Sequence, residues 1–280
     1  MKKIEVLSNK QDRVLKILEK ECPTIVYSAF VKALRQKDVI VNGVRVKDNI
    51  VVPSGSKIAC FVSDDAEKKD MFEIVYEDNN VIFVNKGKGI ETCDGVYNVA
   101  DELLKRNKSA YAVHRLDRNT IGLVVFAKTP EAQKELIDQF KKGNVEKLYY
   151  AEVYGTSEVK HKVLKGYLEK DKEESSVKIY SNKKPNTVEI KTEYTVIKSS
   201  GNTSLLSVKI KDGKTHQIRA HLAYNKLYII GDGKYGKNEI NDKFKSKTQH
   251  LKAYKILFNI PNNSSLNYLN ELKIELNDRF

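Results

Sequence analysis

The chain has 280 residues, with 50 Lys and Arg against 37 Asp and Glu, a formal charge of +13 and a pI near 9.3. At about 150 residues per domain this length suggests roughly two domains, and 40% hydrophobic residues beside 31% charged residues of both signs exclude wholesale disorder. The best apolar runs, Ile58 to Val62 and Leu123 to Ala127, stop at five residues, against about 20 for a membrane helix.

The opening Met1-Lys2-Lys3-Ile4 has no apolar stretch long enough for a signal peptide. The expectation is a soluble, cytoplasmic protein whose charge favours a polyanionic partner over a membrane. Cys22, Cys60 and Cys93 are odd in number and far apart, which argues against a disulfide framework or a zinc site.

In chain order, Val14, Ile17 and Leu18 have helical spacing, Pro23-Thr24 breaks the chain, and Ser28 is the expected N-cap of a second helix carrying Val31 and Leu34. Val39–Val41, an Asn42-Gly43 turn and Val44–Val46 predict a hairpin, and Lys57 to Val62 a further strand. Residues 1–63 hold 12 Lys and Arg against 6 Asp and Glu, hence +6 of the +13. They read as a small α/β domain, 64–71 as a charged linker and 72–280 as the larger domain.

Past the linker, strands are expected at Ile74–Tyr76, Val81–Val84, Leu123–Phe126, Leu148–Val153, Thr187–Val196, Leu205–Ile210 and Leu227–Ile230. A helix is expected from Pro130 to Lys142, capped by Thr129 and stopped by Gly143, and another from Thr215. This is an α+β pattern with a mostly antiparallel, mixed sheet and no regular βαβ alternation.

Three segments concentrate chemistry. His114-Arg115-Leu116-Asp117-Arg118 is a polar loop running into an apolar strand through Gly122 and Leu123 to Ala127, and loops seated on rigid strands are where catalytic groups collect. Asp212-Gly213-Lys214-Thr215-His216-Gln217-Ile218-Arg219 has a strand-turn-helix form suited to phosphate contacts. The five-residue spacing of His216 and His221 does not match the His-Glu-x-x-His zinc motif. Gly231-Asp232-Gly233-Lys234-Tyr235-Gly236-Lys237-Asn238 misses a P-loop by one residue, Asn238 standing where a Ser or Thr is needed, and reads as a Gly-bent loop.

The His114–Lys128 segment resembles the signature of the RluA family of RNA pseudouridine synthases. Further marks follow in family order: Lys147-Leu148-Tyr149, Gly213-Lys214-Thr215-His216-Gln217-Ile218-Arg219, and Gly231-Asp232 with Tyr235-Gly236. Residues 11–62 resemble the small RNA-binding module first named from the fourth ribosomal small-subunit protein. Ile121, Lys214, Gly87 and Lys252 depart from the family's usual Ser, Arg, Pro and His.

The resemblance implies isomerisation of uridine within RNA, ribosomal RNA of the large subunit ahead of transfer RNA, by a monomer with no cofactor and no metal. It implies Asp117 as the essential carboxylate, acting at the ribose by attack or by proton removal, and Arg219 as its ion-pair partner. Tyr149 would stack on the target base, and Arg115 would fill the space left by the flipped uridine. His114, Lys214, Lys32, Arg35 and Lys37 are the further expected RNA contacts. The alternative is a non-catalytic RNA-binding or ribosome assembly protein that retains the fold.

Overall fold

The computed structural model describes residues 1–22, 25–66, 71–95, 98–171, 175–246 and 248–278. It divides into two compact units, Met1–Asp70 and Met71–Phe280. The expected break at Pro23-Thr24 and residues 67–70 of the expected linker lie outside the described residues.

The first unit contains β1 (Lys2–Leu7), β2 (Asp12–Arg13), α1 (Val14–Glu21), α2 (Tyr27–Arg35), β3 (Val39–Val41), β4 (Val44–Val46), β5 (Val51–Val52) and β6 (Lys57–Val62). An antiparallel sheet in the order β1-β6-β3-β4 packs Val39, Val41, Ile58 and Cys60 against Val14, Leu18, Phe30 and Leu34 of the two helices. The β3–β4 turn has positive φ at both Asn42 and Gly43, the conformation a two-residue hairpin of this type requires. Ser28 is not the cap of α2, because Val26 holds that position and no side chain caps the helix. Residues 64–66, expected in the linker, form a short 3-10 turn whose Ala66 is buried in this unit's core.

The second unit contains β7 (Phe72–Glu77), β8 (Val81–Lys86), α3 (Val99–Lys105), β9 (Tyr111–Ala112), β10 (Ile121–Ala127), α4 (Pro130–Lys141) and β11 (Val145–Tyr154). There follow β12 (His161–Asp171), β13 (Ser176–Tyr180), β14 (Val188–Ser200), β15 (Thr203–Ile210), α5 (Gln217–Tyr224), β16 (Tyr228–Ile229), α6 (Asn238–Lys243) and β17 (Leu251–Phe258). One 11-stranded sheet runs β13-β12-β14-β15-β11-β17-β10-β8-β7, with β16 beside β11 and β9 beside β10.

Strands β8 and β10 are buried on both faces, which explains their unbroken apolar runs. Val124 and Phe126 face a core built with α3 and α5, while Leu123 and Val125 face another built with α4. Thr129 caps α4 as expected, its hydroxyl accepting the Ala132 N–H at 3.1 Å. By contrast α5 starts at Gln217, two residues after the expected Thr215.

The sequence reading missed β17, which lies between β10 and β11. It pairs parallel with β10 through Ile121 and Gly122 opposite Lys252 and Ala253, the parallel seam in an otherwise antiparallel sheet. Gly122 has φ +110°, and any Cβ there would run into the backbone of Ala253. A glycine is therefore required for the two strands to close. Lys252 made β17 look like surface. Its side chain is nonetheless 2% exposed, and Nζ donates to Asp278 Oδ2 at 2.6 Å and to the Asp278 carbonyl at 2.9 Å.

Removing the partner of a buried ammonium is costly because the charge stays behind. Asp278→Ala is expected to lower the unfolding free energy by about 2 kcal/mol, one main-chain acceptor remaining. Combining it with Lys252→Met should remove most of that coupling. Urea denaturation of the two single variants and the double variant checks this, and strictly additive effects would contradict it.

Candidate active site

Asp117 sits in the loop that enters β10, and this loop is fixed from both sides. Buried Thr92 accepts the Leu116 N–H at 3.0 Å and donates to the Leu116 carbonyl at 3.2 Å. On the other side of Asp117, the Arg118 carbonyl accepts from Lys86 Nζ at 3.1 Å and from the Ile90 N–H at 3.1 Å. Lys86 is fully buried and also donates to the carbonyls of Gly87 and Ile90. Burial lowers this lysine to about 7, while the carboxylates of Glu91 and Asp117 pull the other way.

Arg219, on α5, gives Asp117 its ion pair. Its Nη1 donates to Asp117 Oδ2 at 2.8 Å, and its Nε and Nη2 form a two-pronged contact with Asp232 at 2.7 and 2.8 Å. Asp232 is 1% exposed and also accepts the N–H groups of Lys234 and Tyr235. Burial would raise the Asp232 carboxyl, but Arg219 and these backbone donors outweigh it and hold the group below its ordinary value. Arg219 is likewise held firmly charged, Asp232 and Asp117 overcoming the opposing effect of burial. The guanidinium is thus aimed by a buried carboxylate before it reaches Asp117.

Tyr149, on β11, is 5% exposed and lines the same cleft as Asp117 and Arg219. Burial, reinforced by the Asp117 charge, raises its phenol and keeps it protonated. Arg115 and Lys214 also line the cleft. Arg115 leans on acidic neighbours, with Nη1 3.4 Å from Asp94 Oδ2 and Nη2 3.7 Å from Glu91 Oε2. Lys214 is exposed, and its backbone N–H is accepted by the Gln217 side chain at 3.1 Å. Lys32, Arg35 and Lys37 are all exposed on the first unit.

His114, expected as an RNA contact, is turned inward. Its ring stacks on Phe140 with centroids 5.0 Å apart, and Nε2 accepts the Val125 N–H at 3.1 Å. This side chain packs the loop onto β10 and does not present itself to a nucleic acid. The charged neighbours that made the segment look solvent-facing do not share its direction.

Three residues escape a residue-by-residue reading: His216, which lines the cleft, and Asp232 and Tyr235, which support Arg219 and His216 from behind. Asp232 and Tyr235 lie in the loop read as merely Gly-bent, and His216 was weighed only as a metal ligand. His216 has φ +53°, rare for a residue with a side chain, and its Nδ1 is 2.8 Å from Tyr235 Oη. His221 instead points into the core against Thr192 Oγ1 at 3.0 Å.

The RNA pseudouridylate synthase family profile matches residues 80–224, which contain Asp117, Tyr149 and Arg219. The chain belongs to that family. It is 31% identical over 285 residues to an uncharacterized RNA pseudouridine synthase of Mycoplasma capricolum, covering 92% of each chain. It is 34% identical over 264 residues to the ribosomal large subunit pseudouridine synthase C of Rickettsia bellii, covering 85% of this chain and 87% of that one. The ribosomal large subunit pseudouridine synthase D of Borreliella burgdorferi is 32% identical over 213 residues, 71% of this chain and 64% of that protein. Among solved structures, human RNA pseudouridylate synthase domain containing 1 shares the fold, with a TM-score of 0.59 at 21% identity over 67% of this chain and 78% of that one. The RluA-type reading of the His-Arg-Leu-Asp segment therefore holds, and RNA is the substrate class of the family.

The two buried imidazoles set a pH dependence for this synthase. Burial lowers His221 from 6.5 to about 4 and His114 from 6.5 to about 3. Both rings are neutral when folded and protonate more readily when unfolded, so the unfolded chain binds more protons below about pH 6.5 and stability falls as pH drops toward 4. His221→Gln is expected to flatten this decline relative to wild type in urea midpoints measured at several pH values. Parallel curves would contradict it.

Proposed function

We propose that the chain isomerises uridine to pseudouridine in RNA, with ribosomal RNA of the large subunit as the substrate. The observation that carries this is the Asp117–Arg219–Asp232 arrangement in a cleft walled by Tyr149, within a chain matched to the family. The ribosomal assignment draws on the names of the Rickettsia and Borreliella relatives.

Uridine and pseudouridine are isomers. The C1′–N1 bond breaks, the C1′–C5 bond forms, C5 gives up a proton and N1 gains one, so atoms and charge balance without a co-reactant. Asp117 is the carboxylate that acts at the ribose. Arg219 holds its orientation, and the protonated Tyr149 ring forms a flat wall for the base. Arg115 at the rim occupies the place of the flipped nucleotide, since the reacting atoms are out of reach inside a stack. Lys214 and, on the first unit, Lys32, Arg35 and Lys37 contact phosphates, making that unit an RNA-binding domain.

Asp117→Asn is expected to abolish pseudouridine formation while RNA binding persists, measured by nucleoside analysis of treated ribosomal RNA and by filter binding. Product from this variant under multiple-turnover conditions would overturn the assignment. Replacing Lys32, Arg35 and Lys37 together by Gln should weaken RNA binding. The change should flatten the log–log salt dependence by roughly two, at about 0.7 for each phosphate no longer neutralised. An unchanged slope would remove the first unit from the RNA interface.

A further inference from the structure

The Tyr235 hydroxyl determines what His216 can do. Its oxygen accepts the Val177 N–H at 2.9 Å, and the acceptor it meets among the described residues is His216 Nδ1 at 2.8 Å. Where the phenol gives its single proton to Nδ1, the neutral imidazole carries its own on Nε2. Nε2 lies 3.9 Å from Asp117 Oδ2, too far for a hydrogen bond. His216 lines the cleft, and among the described residues no hydrogen bond engages its Nε2.

Resting on the function proposed above, we infer that His216 is a catalytic residue of the isomerisation: a neutral hydrogen-bond donor, fixed as its Nε2–H tautomer by Tyr235, that holds a uracil carbonyl oxygen as negative charge develops on the base. Two further observations favour the base over the ribose. Asp117 beside it supplies an acceptor, which suits the hydroxyl and C–H groups of the sugar, while the carbonyls of uracil need donors. Arg219, a cation of the same cleft, already directs Nε, Nη1 and Nη2 at carboxylates.

The charged and titratable groups acting on His216 are Asp117, Arg219, Lys234 and Asp232, with Tyr235 in direct contact. Burial comes first and, with Arg219 and Lys234, outweighs the two carboxylates, so the ring titrates below its ordinary value and stays neutral at pH 7. The left-handed backbone at His216 is the conformational cost of this placement.

Two measurements on the full chain test the inference. Nitrogen-15 NMR of the imidazoles reads the tautomer without requiring turnover. The His216 pair should show a protonated Nε2 and an unprotonated Nδ1 at pH 7, and Tyr235→Phe should shift it toward a mixture. A protonated Nδ1 in the wild-type protein overturns the inference.

In kinetics, His216→Leu is expected to lower kcat by about 10²-fold, the usual loss for one donor to a developing anion, with KM within about twofold. His216→Gln, which keeps an N–H donor, should recover part of the loss. RNA carrying 2-thiouridine or 4-thiouridine at the target site should slow the wild type through one of the two positions and leave His216→Leu indifferent to it. A wild-type kcat in His216→Leu, a loss confined to KM, or equal thio effects in both proteins overturns the inference. Absence of pseudouridine from the wild-type protein fails the functional reading instead, and the NMR result still judges the tautomer.

Discussion

The site depends on how one guanidinium is shared. Arg219 gives two donors to Asp232, which is buried and further fixed by two backbone N–H groups, and a third to Asp117. A buried charge pair is weak evidence for stability, because desolvation offsets most of the attraction. Here the arrangement does something a hydrophobic replacement would not: it ties α5, the 231–236 loop and the loop before β10 to one point. The clasp of Thr92 and Lys86 on Leu116 and Arg118 completes the restraint, so Asp117 is held by its backbone as well as by its carboxylate.

Asp117, Tyr149 and Arg219 were legible because each lies inside a short motif with a recognisable neighbourhood. The pairing of Arg219 with Asp117, 102 positions apart, is legible only through the family resemblance, since no local rule pairs them. Asp232 was hidden for a different reason. Surrounded by Gly and Lys, it reads as turn chemistry, and only the folded chain reveals that the carboxylate faces inward to meet Arg219. His114 shows the opposite error: expected as an RNA contact within the signature segment, its ring instead stacks on Phe140.

The same contrast runs through the fold. Strands with unbroken apolar runs, Val81–Val84 in β8 and Leu123–Ala127 in β10, announce themselves, because burial on both faces selects apolar side chains along the run. The hairpin of β3 and β4 was visible in its Asn-Gly turn. β17 was not, because Lys252 and Lys255 imitate the pattern of a solvent-facing segment. Both lysines are met by acids from the segment after Leu272, Lys255 by Glu275 at 2.7 Å and Lys252 by Asp278 at 2.6 Å. A pattern of residue types cannot show that a charge is buried when its partner comes from a stretch without regular structure.

The central position of β17 also bears on how the larger unit is made. β10 and β11 are near neighbours in sequence, yet each completes its hydrogen bonding against a strand that follows more than 90 residues after β11 ends. During synthesis, the halves of the sheet on either side of that gap emerge long before the strand that joins them. Two unpaired edges must therefore remain open until residue 258 has been added, and sheets closed by such distant contacts form slowly and are vulnerable to intermolecular pairing in the interval.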